Sequence, residues 1–224
     1  MRRKVNCMSP NEVRAVPVPS LRRLPAYLRI LKQLQKTGER AVSCTYLAEK
    51  LGQDATQVRK DLAYTGVSGR PKVGYELDVL VTAIEHFLGW DNVTDAFLAG
   101  AGYLGSALLG YQGFMDHGLH IVAAFDSDPR KIGTEIYGRD VLAVGKLPDL
   151  SRRMHIRIGI ITVPAAAAQH VADLMIKGGI RAIWNFAPVH LTAPDNILIE
   201  NEHLSASLAV ISQRLATMDK REKV

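Results

Sequence analysis

Apolar positions outline the chain before any motif is considered. Leu24, Tyr27, Leu28, Leu31 and Leu34 recur at helical spacing and predict a helix beginning near Ser20 and ending at Thr37-Gly38. "SCTYLAEKLG" predicts a second, shorter helix. Ser43 or Thr45 caps it, Tyr46, Leu47 and Leu51 face inward, and Gly52 stops it. "QDATQVRKDLAYTG" predicts a third, capped by Asp54 or Thr56, with Val58 and Leu62 toward the core and Arg59 and Lys60 on another face. In "GVSGRPKVGYEL" apolar residues alternate around glycines and a proline, which predicts a hairpin with a basic tip at Arg70 and Lys72. A further helix, about Asp78 to Leu88, closes this unit before Gly89-Trp90.

The pattern changes at Asp91. "TDAFLAGAG" predicts a strand running into glycine, "YLGSALLGYQGF" a helix, "HIVAAFDSDP" a strand, "RIGIITVP" a strand, "AAAAQHVADLMIKGG" a helix, "RAIWNFAP" a strand, and "NILIEN" a last one. Strands alternating with helices imply an α/β unit with a doubly wound parallel sheet. The organisation expected is a tail over 1–18, a helical unit over 19–90, an α/β unit over 91–202 and a C-terminal helix over 203–224. In that helix Leu204, Leu208, Ile211, Leu215 and Met218 form one apolar stripe, which needs a partner surface on its own unit or on a second copy.

Charge sharpens this division. Residues 1–90 carry 15 Lys and Arg against 8 Asp and Glu, whereas 91–224 carry 13 against 14. The whole excess of +6 therefore belongs to the N-terminal part, which suggests a polyanion partner for that part alone. Three short helices and a basic hairpin are the winged form of the helix-turn-helix, whose third helix enters the major groove. The candidate DNA contacts are Ser43, Thr45, Gln57, Arg59, Lys60, Tyr64, Arg70 and Lys72. No apolar run reaches the roughly 18 residues of a membrane span. The basic N-terminus lacks the apolar stretch of a secretory signal, and Cys7 and Cys44 offer neither a disulfide framework nor a metal pattern. A reducing cytoplasm fits best.

Gly100-Ala101-Gly102-Tyr103-Leu104-Gly105 has the spacing G-x-G-x-x-G, and it follows a strand and opens a helix. The pyrophosphate of a dinucleotide would rest on the helix N-terminus. Asp126, 21 positions after Gly105, is placed to accept hydrogen bonds from the adenosine ribose, which favours NAD(H) over a 2′-phosphorylated cofactor. Ser127 and Lys131 lie beside it, with Arg130 as a second nearby cation. Thr162, Val163, Pro164, Asn185 and Phe186 end later strands and would line the nicotinamide end.

An NAD-dependent oxidoreductase is the competing reading. It needs a proton donor beside the hydride site and usually a substrate domain, yet 39 residues follow Asn185. Tyr46-Leu-Ala-Glu-Lys50 has the Tyr-x-x-x-Lys spacing of short-chain dehydrogenases but lies upstream of the glycine loop, within the helical unit. His117, His120, His155, His170, His190 and His203 show no recognisable catalytic partner.

"RRLPAYLRIL", "QVRKDLAYTG", "KVGYEL", "GAGYLGSAL", "FDSDP", "ITVPAAAAQ" and "NFAPV" resemble, in order, segments of the Rex family of redox-sensing transcriptional repressors, from about Pro19 to the C-terminus. The resemblance implies a cytoplasmic bacterial homodimer with winged-helix and Rossmann domains and an exchanged C-terminal helix. It implies palindromic operator DNA bound when NADH is low and released by NADH. It also implies a switching network of an Arg, a Tyr and an Asp. Arg29 and Tyr111 match the first two, while His203 stands at the position of the Asp, with Glu202 one residue earlier. Lys72 stands where the family has a glycine. These departures bear on the strength or sign of NADH discrimination, and a regulator with altered or lost redox response is the alternative they raise.

Overall fold

The computed structural model describes residues 16–221. The expected tail over 1–18 lies outside the described residues except for its last three. Two compact units divide at Asp91/Asn92.

The first unit opens with α1 (Val18–Lys36). It starts two residues before the expected Ser20, because Pro19 occupies the first turn, where a missing N–H costs nothing. Leu24, Tyr27, Leu28 and Leu31 are buried, and Leu34 packs at the edge of the same core. The short β1 (Ala41–Val42) leads to α2 (Cys44–Leu51), where the Ser43 hydroxyl caps the amide of Tyr46. Cys44, Leu47 and Ala48 are the buried residues of α2, while Tyr46 and Leu51 lie at the margin. In α3 (Ala55–Ala63) the Asp54 carboxylate accepts from the amides of Thr56 and Gln57, and Val58 and Leu62 enter the core. β2 (Tyr75–Glu76) pairs antiparallel with β1, and α4 (Leu77–Leu88) completes the layer.

The expected basic hairpin is reduced. Its arms meet only in a bridge between Arg70 and Gly74, closed by Arg70 N–H to Gly74 O at 2.7 Å and Gly74 N–H to Arg70 O at 2.9 Å. The strand that follows pairs with β1 instead. Gly74 permits this exchange, because a Cβ there would strike the backbone of Val42.

The second unit is a seven-stranded sheet of order β5-β6-β4-β3-β7-β8-β9. Its strands are β3 (Thr94–Ala99), β4 (Leu119–Asp126), β5 (Glu135–Ile136), β6 (Arg139–Ala143), β7 (Ile158–Ile161), β8 (Ala182–Asn185) and β9 (Leu198–Asn201). All neighbours are parallel except β5 and β6. α5 (Tyr103–Leu109), α6 (Leu147–Arg153) and α7 (Ala165–Lys177) supply the crossovers. Phe97, Phe125, Ile161 and Ile183 fill one face and Leu98, Ile121 and Ile160 the other. The hairpin β5–β6 and α6 were not anticipated, since strands of two and five residues around Tyr137-Gly138 leave too short an apolar pattern to read. α8 (Leu204–Arg221) ends the chain. Leu208, Ile211, Leu215 and Met218 are all exposed, so this stripe is left uncovered rather than folded onto its own unit.

Candidate functional site

β3 lies between β4 and β7, so the chain that leaves it at Ala99 emerges at the carboxyl edge of the sheet's middle. Gly100 turns there with φ +105° and sits so close to Thr162 that a Cβ would lie 2.7 Å from its carbonyl carbon. A Cβ on Gly105 would overlap the Gly100 carbonyl oxygen, so glycine at that position lets α5 begin directly over the strand end. Gly102 differs: a Cβ there would meet nothing within 4 Å. Its missing side chain serves no protein neighbour and leaves the backbone open to a ligand. No side chain caps α5, whose first N–H groups also have no partner within the helix. This open, amide-lined turn fits a pyrophosphate. Ala101 is buried behind it, Tyr103 is fully exposed and Leu104 partly so.

Asp126 ends β4 beside the turn. Its Oδ2 accepts from the Ala101 amide at 2.9 Å and lies 3.0 Å from Lys131 Nζ; its Oδ1 accepts from the Asp128 amide at 2.9 Å. Burial by itself would raise its pKa. The Asp128 amide, the Lys131 ammonium and the Ala101 amide outweigh burial and hold the carboxyl below its usual range. Arg130 forks onto Asp128 through Nε at 3.0 Å and Nη2 at 2.8 Å. Both nearby cations are thus engaged by carboxylates, which weakens the case for a 2′-phosphate. Ser127 is exposed at the strand end.

Thr162 buttresses the glycine turn, its hydroxyl lying 3.0 Å from Ala99 O and 2.8 Å from Gly100 O. Val163 packs into the core, and Pro164 is exposed at the start of α7. Asn185 requires a correction. Its side chain is fully buried: Nδ2 donates to Ala187 O, Val189 O and Asn201 Oδ1, and Oδ1 accepts from Ala187 N–H. It shapes the loop after β8 and presents nothing to a cofactor. Phe186 lies in an aromatic chain in which Tyr111, Phe114, Trp184 and Phe186 follow one another at centroid distances of 4.9, 5.6 and 4.9 Å. Among the histidines read as unpartnered, His120 lies 3.0 Å from Asp95 Oδ1, and His117 Nδ1 meets Gly113 O.

In the first unit, a groove of about 560 Å³ runs between α3 and the turn at Arg70–Gly74. Ser43, Thr45, Arg59, Arg70 and Lys72 all line it and, among the described residues, no carboxylate does. Lys72 holds φ +63°, a conformation that strains any residue with a Cβ. Lys60 is exposed on α3 outside the groove, and Tyr64 caps the C-terminus of α3, half-buried. Gln57 is half-buried, and its amide donates one hydrogen bond to Asp61 Oδ1 at 2.8 Å.

Comparison with known proteins covers both units. The family model for the N-terminus of DNA-binding proteins matches residues 15–63, and the CoA binding domain model matches 91–189. The redox-sensing transcriptional repressor Rex of Treponema denticola is 46% identical over 89% of this chain and 95% of its own length. The Rex of Pelotomaculum thermopropionicum is 44% identical over 89% and 94%. This chain belongs to the Rex family of redox-sensing transcriptional repressors. A Rex-family repressor named RSP has been solved with β-NAD+ and operator DNA (38% identity, TM-score 0.86, 93% of this chain and 96% of that one). It has also been solved with β-NADH (36%, 0.83, 93% and 98%).

The residues matching the Rex switch belong to both units, Arg29 to the first and Tyr111 and His203 to the second. Arg29 is exposed on α1, beside a groove shared with Gln33, Tyr46 and Lys50. Tyr111 is exposed and stacks edge-on against Phe114. His203 is exposed, and its carbonyl accepts from the Ala206 amide as α8 begins. Glu202 faces inward: its Oε1 accepts from the Trp184 indole at 3.1 Å, and its N–H donates to Asn185 O at 2.8 Å.

Sequence reading missed the group that ties α3 to α1. Asp61 is fully buried. It accepts from Arg23 Nε at 2.6 Å and Nη2 at 2.8 Å and from Gln57 at 2.8 Å, and lies 2.7 Å from the Tyr27 hydroxyl. Burial pushes its pKa up, but the Arg23, Tyr27, Ser20 and Gln57 contacts more than reverse this and bring it to about 2. Burial and the Asp61 charge raise the Tyr27 pKa. The one available signal was an acid on the core side of α3, three residues after Val58 and next to Leu62.

Proposed function

We propose that this chain is a homodimeric, cytoplasmic repressor that binds operator DNA through the groove between α3 and the Arg70–Gly74 turn, and that NADH releases it. One observation carries the reading. A basic, carboxylate-free groove and an uncapped glycine turn with its strand-end carboxylate occur in one chain of the Rex family. Arg59, Arg70 and Lys72 meet phosphates and guanine edges, with Ser43 and Thr45 as neutral donors. Gly100–Gly105 and Asp126 hold the dinucleotide, Thr162 keeping the turn in shape. NADH and NAD+ differ by one positive charge on the nicotinamide ring, and an apolar surrounding disfavours the charged form. Phe186 and its aromatic neighbours provide such a surrounding. The cofactor then shifts the population between DNA-competent and released dimers by its differential affinity for the two. A two-fold dimer matches a palindromic operator, and the exposed α8 stripe is the surface a second subunit covers. A repressor of operator DNA works beside the chromosome, hence in the cytoplasm. It is a sensor and not an enzyme.

A second reading concerns the switch. His203 stands where the Rex pattern has a carboxylate, and Glu202 beside it accepts from the Trp184 indole. We infer that NADH discrimination is weakened. The test is fluorescence anisotropy of labelled operator with NAD+ and NADH varied separately. The function predicts release by NADH and not by NAD+; equal operator affinity in both would overturn it. His203→Asp should widen the NADH-to-NAD+ ratio of release several-fold, and an unchanged ratio would retire the second reading alone.

A further inference from the structure

Two helix ends in the nucleotide-binding unit are built alike, and one carries an anomaly. α6 closes with Ile156 N–H on Ser151 O at 3.0 Å and His155 N–H on Arg152 O at 3.3 Å. α7 closes with Ile180 N–H on Met175 O at 3.1 Å and Gly179 N–H on Ile176 O at 3.0 Å. Both are Schellman turns, which place one residue in the left-handed region. α7 puts Gly179 there, with φ +90°; α6 puts His155 there, with φ +54°. A histidine is a strained choice where glycine would serve, and such strain clusters at functional positions.

Between these ends lies a pocket of about 280 Å³, lined by Ser151, Arg152, His155, Arg157, Gly178 and Gly179. Ser151 is 1% exposed, and its hydroxyl has no hydrogen-bond partner. Buried side-chain polar atoms are rarely left so. Neither arginine has an acidic partner among the described residues, nor does His155, and no carboxylate lines the pocket. The turns take up Ser151 O and Arg152 O in α6 and Met175 O and Ile176 O in α7. The pocket lies where the chain enters β7 and β8, whereas the glycine turn lies where it leaves β3. In a parallel sheet these are opposite edges, so the pocket is separate from the dinucleotide crevice.

We propose that this pocket is a second ligand site, for a small phosphate-bearing anion. Arg152 and Arg157 take phosphate oxygens, and the Ser151 hydroxyl donates to one from the floor. A cavity of this size takes a phosphomonoester with a short stem and excludes a dinucleotide. A hydroxyl at the floor also selects a phosphate with a free end over the phosphodiester of a nucleic-acid backbone.

The experiment is a titration of the full-length, ¹⁵N-labelled protein with inorganic phosphate at constant ionic strength. Amide shifts are followed across the chain. Saturable shifts confined to residues 151–157 and 178–179 are expected. Arg152→Ala and Arg157→Ala, both surface arginines, should each weaken that saturation roughly tenfold while the rest of the spectrum stays unchanged. Ser151→Ala should weaken it less. Shifts only at residues 100–105, shifts that grow without saturating, or saturation unaffected by the arginine variants would each overturn the proposal.

Discussion

Asp61→Asn tests how α3 is held against α1. The substitution keeps shape and removes one buried charge, leaving an amide facing the Arg23 guanidinium, both its bonds donor-rich on one side. Two routes give the magnitude. The folded carboxyl titrates at about 2 against an ordinary 3.8, and a gap of that size corresponds to roughly 2 kcal/mol of pairing. Removing one member of a fully buried ion pair typically costs about 3–5 kcal/mol, an upper bound here because the Arg23 side chain stays partly exposed to water. A loss of about 2 kcal/mol is therefore expected in the first unit. The sign with pH follows from the lowered pKa: the contribution is full above about pH 4 and fades as pH falls toward 2, so parent and variant converge in acid. Trp90 packs on the first unit's core and Trp184 lies in the second, so urea unfolding followed by fluorescence in a Trp184→Phe background reports the first unit alone. A loss below about 1 kcal/mol would show that Asp61 is a bystander, and a full gap that persists at pH 2 would show that the loss does not come from its charge. Operator affinity should fall with stability although Asp61 faces no ligand, because it ties α3 to Arg23 and Tyr27 of α1.

Other predictions follow from the same geometry. Arg59→Ala should abolish operator binding at physiological salt and leave NADH affinity unchanged; filter binding over a salt series should show a slope shallower by about one. Asp126→Ala should weaken NADH binding about tenfold or more and, by releasing Lys131, narrow the preference against the 2′-phosphorylated cofactor, as measured by calorimetry. Gly105→Ala should destabilise the second unit by several kcal/mol, since its Cβ meets backbone. Gly102→Ala should leave stability within about 0.5 kcal/mol and still lower NADH affinity, a contrast that thermal melting with and without NADH resolves.

Much of the architecture is legible because its signals are local. Ser43 and Asp54 announce helix starts through hydroxyl and carboxylate caps, and Gly52 and Gly89 announce ends through the left-handed turn. The glycine turn is legible for the same reason: Gly100 and Gly105 answer constraints set within a few residues or by one adjoining strand, and Gly102 completes the spacing. The β5–β6 hairpin is not legible, because two paired strands of two and five residues carry too little pattern. Asn185 looked like a ligand residue because it ends a strand, and only the positions of Ala187, Val189 and Asn201 show that its amide is spent within the protein.

The order of short helices, the switch to an α/β pattern at Asp91, the charge imbalance and the glycine spacing are all carried by the sequence itself, since each depends on neighbours a few positions apart. Contacts between distant positions belong to the tertiary structure alone. Arg23 meets Asp61 across 38 residues, Trp184 takes up the carboxylate of Glu202, and Ser43, Arg59 and Lys72 converge on one groove. Such pairings are fixed by how helices and strands pack, and packing depends on the shape of the whole unit. Hence the kind of chemistry could be read along the chain, while the choice of which charged groups are free to do it could not.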